Sequence, residues 1–411
     1  MFLKPELQNI YYAQKEMLAK KDTGTSRTIL RSIRLDTGFV LIISGIRRCG
    51  KSTLVSQLIK EKLNNSCYFN FEDPRLTGFD LKDFQKLEEI FSEESPDSWY
   101  VFDEIQNVPG WEKFLRTKQD SGRKILITGS NATLLSGELG TRLTGRHLNY
   151  ELFPFSYHEY LKFKGQKAGR ESLEQYLKTG GFPEFIKYGE EEILLSITND
   201  ILYRDIAVRH GIKLIQTLKK MLVYLVTNTG KKYSYNNLKK LFLLGSPNTV
   251  SDFISFFENS FLLFTLPMFS YSIKKQLINP RKIYAIDTGW AGINSLSFSE
   301  DSGRQFENLI YLHLRKTFKD MYYFSGNNEC DFIVVDKGKV TGAFQACLHL
   351  HQDNIDRELD GLFEALDATG LFKGFIITLD QEDHFEKGKH KVHVFPAWKW
   401  LTGNKLEKNG K

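Results

Sequence analysis

Gly45, Gly50, Lys51 and Ser52 stand at the spacing G-x-x-x-x-G-K-S within the stretch GIRRCGKST, residues 45–53. Each residue type answers one need of a bound triphosphate. Glycines let successive backbone N–H groups turn inward, the lysine ammonium reaches the β- and γ-phosphate oxygens, and the serine hydroxyl is a ligand for Mg²⁺. A helix starting at the lysine adds its positive end. Gly45, Cys49, Gly50, Lys51, Ser52 and Thr53 are therefore the expected ATP-binding set.

A second constellation follows about fifty residues on. WYVFDEIQ places Asp103 and Glu104 at the end of an apolar run. With Ser52, the aspartate would hold Mg²⁺, and the adjacent glutamate would activate water for attack on the γ-phosphate. KILITGSN then ends in Ser130 and Asn131, where a polar side chain can sense the γ-phosphate. Arg142 and Arg146 come next. Either is a candidate to stabilise transition-state charge, in its own subunit or across an interface.

Those side chains need a scaffold, and the sequence supplies one. Val40–Ser44 reads as a strand entering the loop, and Val55, Leu58, Ile59 and Leu63 give the following segment one apolar face. Cys67–Phe71, Trp99–Asp103, Ile125–Gly129 and Leu148–Leu152 read as further strands separated by helix-length stretches. That alternation predicts a parallel α/β sheet with helices on both faces.

Residues 216–290 predict a winged helix. Its helices would span Ile215–Thr227, Tyr235–Leu243 and Asn248–Glu258, with strands Leu262–Leu266 and Lys282–Ile286 flanking a wing that carries Lys274, Lys275 and Arg281. The third helix has no Lys or Arg and carries Asp252 and Glu258, a poor match to phosphates. Asn248, Thr249, Ser251 and Ser255 are its candidate base readers, and Lys231, Lys232, Lys239 and Lys240 add basic charge nearby. DNA binding and a partner-docking role both remain open at this point. The last hundred residues resemble a PD-(D/E)xK nuclease fold, with Glu307 on a helix and Asp331 on a strand. The next strand carries Gln345 and Cys347 where a working site has Glu and Lys. Glutamine is a weak Mg²⁺ ligand and cysteine cannot replace an ammonium, so no cleavage is expected.

The 411 residues, 41% apolar and 26% charged, suffice for two to four domains. A net charge of +6 permits a nucleic-acid partner without demanding one. Cys49, Cys67, Cys330 and Cys347 lie far apart, which fits a reducing cytoplasm. The N-terminus has no signal-peptide layout, and no apolar run reaches membrane-spanning length.

GIRRCGKSTL, FNFEDPR, FDEIQNVPGWE, LITGSNA, LTGRHLNYELFPFSYHEYL and GGFPEF occur in the order of a bacterial and archaeal family of AAA-type ATPases with a C-terminal domain designated DUF4143. NPRKIYAIDTGW, FENLIYLHL and NECDFIV extend the resemblance to nearly the whole chain. The resemblance implies an ASCE-type P-loop sheet, in which the 125–129 strand separates the Asp103 strand from the loop strand. It maps Lys51, Ser52, Asp103, Glu104 and Asn131 onto nucleotide and sensor positions, and Arg146 onto a closing Gly-Arg pair. The expected organisation is a helical segment (1–35), an ATPase domain (36–158), a helical connector (159–215), a winged helix (216–298) and a DUF4143-type nuclease-like domain (299–411). The expected activity is ATP hydrolysis acting on or near DNA. The alternative is a nucleotide-controlled switch for a protein partner, and a second copy of the chain is a further candidate partner.

Overall fold

The computed structural model describes residues 1–63, 65–131, 146–296 and 302–403. They fall into two compact units, Met1–Phe153 with Asn259–Phe261, and Pro154–Glu258 with Leu262–Lys411.

In the first unit, β1 (Val40–Ser44), β2 (Ser66–Asn70), β3 (Trp99–Asp103), β4 (Ile125–Gly129) and β5 (His147–Glu151) form a parallel sheet in the order β2-β3-β4-β1-β5. β2 and β5 begin one residue before the expected positions. As the resemblance implies, β4 lies between β1 and the strand that ends in Asp103. Every residue of β1, β3 and β4 is buried, as a sheet covered on both faces requires.

Alternation along the strands sorts their side chains onto two faces. Val40, Ile42, Cys67, Phe69, Tyr100, Phe102, Ile125 and Ile127 share one core with α1 (Lys4–Lys20), α3 (Asp83–Glu94) and α4 (Trp111–Asp120). Leu7, Ile10 and Tyr11 of α1, Phe84, Leu87 and Phe91 of α3, and Leu115 of α4 fill it. The opposite face belongs to α2 (Lys51–Glu61), which buries Leu54, Val55 and Leu58 and lies against β4. The segment expected as a separate N-terminal element is thus built into this core. Gln14 donates to Asn70 O and Asp73 Oδ2, both at 3.1 Å.

The second unit opens with four short helices, α5 (Tyr157–Lys164), α6 (Arg170–Thr179), α7 (Pro183–Tyr188) and α8 (Glu191–Asp200), the last running into a π-helical turn, Ile201–Val208. Then come α9 (Ile215–Thr227), α10 (Tyr235–Leu241) and α11 (Pro247–Asn259), with an antiparallel sheet ordered β6-β8-β7. β6 is Lys232–Tyr233, β7 is Leu263–Leu266 and β8 is Arg281–Ala285. Two features were not legible beforehand: the two-residue β6, and a six-residue helix, α12 (Ile273–Ile278), between β7 and β8 where a plain wing was expected.

After α13 (Thr288–Asn294) and α14 (Ser302–Arg315) comes a six-stranded sheet ordered β13-β14-β12-β11-β10-β9. Its strands are β9 (Asp320–Ser325), β10 (Glu329–Asp336), β11 (Lys339–Ala346), β12 (Lys373–Thr378), β13 (Asp383–Lys387) and β14 (His390–Pro396). α15 (Ile355–Thr369) crosses from β11 to β12 and packs Leu362 and Leu366 with Ile333, Ala343, Ile376 and Val394.

The stretches TGGFPEF and AIDTGW meet. Asp287 accepts from Gly181 N at 2.6 Å and from Trp290 N at 2.9 Å. Burial pushes its carboxyl up to about 6, although these N–H donors pull the other way. Since that exceeds the ordinary value of about 4, its stabilising contribution is full below about pH 4 and is lost as pH rises through about 6. Urea unfolding is expected to lose about 3 kcal/mol across this window. Asp287→Asn should lack that part of the pH dependence.

Among the described residues, no helix is long and apolar enough to cross a membrane. All four cysteines are buried free thiols.

Candidate functional site

β1 ends at Ser44, and the chain turns through residues 45–50 into α2. The turn tolerates no side chain at its first position, because a Cβ on Gly45 would lie 2.1 Å from Leu152 O. Gly50, at φ +101°, caps α2 in the left-handed region that favours glycine. Lys51 opens the helix and is only 4% exposed. Its Nζ donates to Gly45 O at 3.2 Å and Ile46 O at 3.3 Å, and sits 3.1 Å from Glu104 Oε1. Ser52 and Thr53 follow, half-buried, in the first turn. Cys49 is fully buried, its thiol donating to Leu152 O at 3.4 Å. Burial holds that thiol above its ordinary range against the pull of Lys51 and Arg27.

The acidic pair is placed by strand parity. Tyr68, Asp103 and Thr128 lie on the α2 side of β2, β3 and β4, Tyr68 in mid-strand and Asp103 and Thr128 at the carboxyl ends of theirs. Tyr68 OH donates to Asp103 Oδ2 at 2.9 Å, and Thr128 Oγ1 donates to Asp103 Oδ1. Burial, then the nearby Asp103 charge, drives the Tyr68 phenol well above its usual range, so it remains a donor. Thr128 Oγ1 also accepts from Glu104 N at 3.0 Å. Glu104 has φ +52° and ψ +44°, a left-handed conformation that costs a non-glycine residue about 1–2 kcal/mol. That turn aims its side chain at Lys51. Burial alone would raise the Glu104 carboxyl, but the Lys51 ammonium and the Gln106 amide outweigh it, and the net direction is down. Lys51 moves up: burial opposes its charge, and Glu104 restores it. Both directions describe an ionised pair.

Gln106 Nε2 donates to Glu104 Oε2 and, at 3.3 Å, to Ser130 Oγ. Ser130 and Asn131 are buried directly beyond β4. The expected residues Gly45, Gly50, Lys51, Asp103 and Glu104 are thus brought together, with Ser130 joined to them through Gln106.

Arg146 is placed elsewhere. It precedes β5, its carbonyl accepts from Val40 N at 3.1 Å, and its exposed guanidinium lies 3.5 Å from Asp120 Oδ1. Val40 begins β1 and the loop follows its end, so Arg146 is about 15 Å from Lys51 along the strand direction. Arg142 lies outside the described residues.

Sequence reasoning missed four partners: Tyr68, Thr128, Gln106 and Arg27. Buried Arg27 donates through Nη1 to Cys49 O at 2.9 Å and through Nη2 to Phe153 O at 2.7 Å. It therefore fixes the loop's carbonyl side to the end of β5. Nothing in the polar run KKDTGTS beside it announces this role.

In the second unit, Gln345 Oε1 accepts from Asp331 N at 3.1 Å, and its amide donates to buried Glu358 at 2.6 Å. The Cys347 thiol donates to His349 O at 3.2 Å.

A family model described as an AAA domain matches residues 37–161. A second, a domain of unknown function designated DUF8612, matches residues 170–300. That match corrects the expected DUF4143: the domain beyond the AAA domain is DUF8612. The chain is 34% identical to the uncharacterized protein MJ1544 of Methanocaldococcus jannaschii, over 93% of this chain and 92% of that one. It is 32% identical to an uncharacterized protein of Haemophilus influenzae, over 68% and 75% respectively. Among solved structures it is similar to the Walker-type ATPase paby2304 of Pyrococcus abyssi at 15% identity and a TM-score of 0.40, over 63% of this chain and 91% of that one. With a site of this geometry inside an AAA domain, and with kinship to MJ1544 along nearly its whole length, the chain belongs to the MJ1544 family of AAA-domain proteins.

Proposed function

We propose that this chain is an ATPase that binds ATP on the loop of residues 45–53 and hydrolyses it with Glu104 as general base. One observation carries the reading: Lys51 and Glu104 pair at 3.1 Å, at the carboxyl edge of a parallel sheet. On this reading Lys51 exchanges Glu104 and two loop carbonyls for phosphate oxygens. Glu104 is then released to take a proton from the attacking water. Backbone N–H groups of the loop and the start of α2 hold the phosphates. Ser52 and Asp103 offer hydroxyl and carboxylate oxygens, the hard donors that suit Mg²⁺. The ion, when bound, supplies charge neutralisation across the phosphates. Thr128 fixes Asp103 and the Glu104 backbone, and Asn131 is the proposed sensor. Phosphate release from ATP with Mg²⁺ tests the proposal. A folded protein that neither binds nor turns over ATP sinks it.

Arg146 cannot reach its own loop, so its proposed role is across an interface between copies, where a guanidinium can pair two phosphate oxygens. Activity per chain should then rise with protein concentration. Arg146→Ala mixed with Glu104→Gln should recover activity that neither has alone. Flat specific activity and a dead mixture would remove the arginine from the mechanism.

The proposed organisation keeps the ATPase domain at 36–158 and the connector at 159–215, with a winged helix at 216–298 and a nuclease-like domain without cleavage at 299–411. The helix and strand order α9-β6-α10-α11-β7-α12-β8 supports the winged helix, with α12 in place of a plain wing, and α14-β9-β10-β11-α15-β12 supports the nuclease-like fold. Free thiols and an ATP requirement suit the cytoplasm. The proposed field of action is DNA, contacted by Lys231, Lys239, Lys240, Lys274 and Lys275. A second reading, a nucleotide-controlled switch for a protein partner, is favoured by Tyr271, Ile273, Leu277 and Ile278, which are exposed on and beside α12. DNA that stimulates the ATPase, with an affinity falling steeply in salt, selects the first reading. Unchanged activity with DNA selects the second.

A further inference from the structure

Lys282, on β8, is only 3% exposed, yet its ammonium is surrounded by negative charge. Its Nζ lies 2.7 Å from Glu329 Oε1, 2.9 Å from Asp331 Oδ1 and 3.0 Å from Glu307 Oε1. Glu307 comes from α14, and Glu329 and Asp331 from β10. Two residues along β8, Tyr284 OH donates to the same Glu307 oxygen at 2.7 Å. At the rim, Lys232 of β6 pairs with Glu329 Oε2 at 2.6 Å. The second oxygen of Asp331 accepts from Ala346 N at 3.1 Å.

Three carboxylates gathered in a largely buried space repel one another unless a cation stands among them. An ammonium has three N–H donors, and each finds one carboxylate here. Burial would strip the lysine of its proton, but Asp331, Glu307 and Glu329 reverse that and hold it charged. Glu307 is pushed upward by burial and by the Asp331 charge, despite Lys282.

We infer that Lys282 is a built-in cation, whose ammonium fills the Glu307, Glu329 and Asp331 cluster in place of a divalent metal, closes it to Mg²⁺ and ties β8 to the C-terminal sheet. The inference stands apart from the ATPase reading, and it silences a nuclease-like domain independently of Gln345 and Cys347. An arm of the sheet that would carry the wing is thereby bound to the very carboxylates that a nuclease would spend on metal.

Mn²⁺ is the probe, with free ion followed by electron paramagnetic resonance and melting followed in parallel, on full-length protein without nucleotide. Wild-type protein and Asp331→Asn should bind the same amount of Mn²⁺ and show the same melting shift. Lys282→Met, which removes the charge and keeps the stem, should melt lower than wild type. It should gain one Mn²⁺ site per chain and recover several degrees in millimolar Mn²⁺, and Lys282→Met/Asp331→Asn should do neither. If Lys282→Met is recovered folded only in Mn²⁺, the metal is replacing the ammonium, as inferred. Two results overturn the inference. One is a wild-type Mn²⁺ site that Asp331→Asn removes, which would make Lys282 a companion of a metal. The other is a folded Lys282→Met that binds no more Mn²⁺ than wild type.

Discussion

Glu104→Gln should bind ATP with Mg²⁺ much as the unaltered protein does, and release phosphate about 100- to 10,000-fold more slowly, the range by which a positioned general base accelerates proton transfer. The glutamine keeps an oxygen for Lys51 but cannot take a proton. Lys51→Ala should lose ATP affinity for a different reason, since the phosphates lose their cation. It should also lose stability: Lys51 and Glu104 are both buried and paired at 3.1 Å, so alanine strands a carboxylate without its partner. Breaking a buried pair from one side costs about 3–5 kcal/mol. The double variant Lys51→Ala/Glu104→Gln should recover much of that stability and none of the ATP affinity. Phosphate-release rates, fluorescent-nucleotide titration and urea unfolding on the four proteins check these three expectations. Wild-type turnover by Glu104→Gln would take the base away from Glu104. A double variant no more stable than Lys51→Ala would dissolve the ion pair as a stabilising element.

The second large effect is expected at Gly181. A Cβ there would lie 2.2 Å from Phe155 O and 2.8 Å from Phe155 N, both backbone atoms. Phe155 N also donates to Gly181 O at 2.7 Å, so the two segments cannot separate without giving up a bond. Gly181 N is in turn held by Asp287. Gly181→Ala should therefore cost about 4 kcal/mol or more, the range reserved for broken packing at special backbone positions. Thermal unfolding, or failure to accumulate as soluble protein, reads it out. A melting temperature within a degree of wild type would mean that the crossing relaxes freely.

The motif-bearing part of the site was legible because phosphate chemistry restricts residue type and spacing together. Lys51, Asp103 and Glu104 could be assigned without knowing where any other strand lay. Their supports were not legible. Tyr68 and Thr128 reach Asp103 only because β2 and β4 flank β3 in register, and that order follows from chain crossings that local sequence does not record. Arg146 was legible as a candidate but its place was not: a chain that must return to start another parallel strand puts it beside Val40, at the opposite end of β1 from the loop. Between residues 215 and 286 the expected helices and strands lie within a few residues of those observed, with β6 and α12 the elements that apolar periodicity did not reveal. Lys282 was read as part of a wing strand because the carboxylates that claim it lie 25 to 49 residues downstream.

Arg27 bears on how this protein can be taken apart. The AAA domain match begins at residue 37, ten residues after the side chain that fastens Cys49 O to Phe153 O. A fragment cut at that border would keep every signature residue and lose the brace beneath the loop, along with the Leu7, Ile10 and Tyr11 wedge of α1. The border of recognisable sequence and the border of self-sufficient folding therefore differ in this chain. An excised domain that fails to bind nucleotide would report the missing brace and leave the motif's competence untouched.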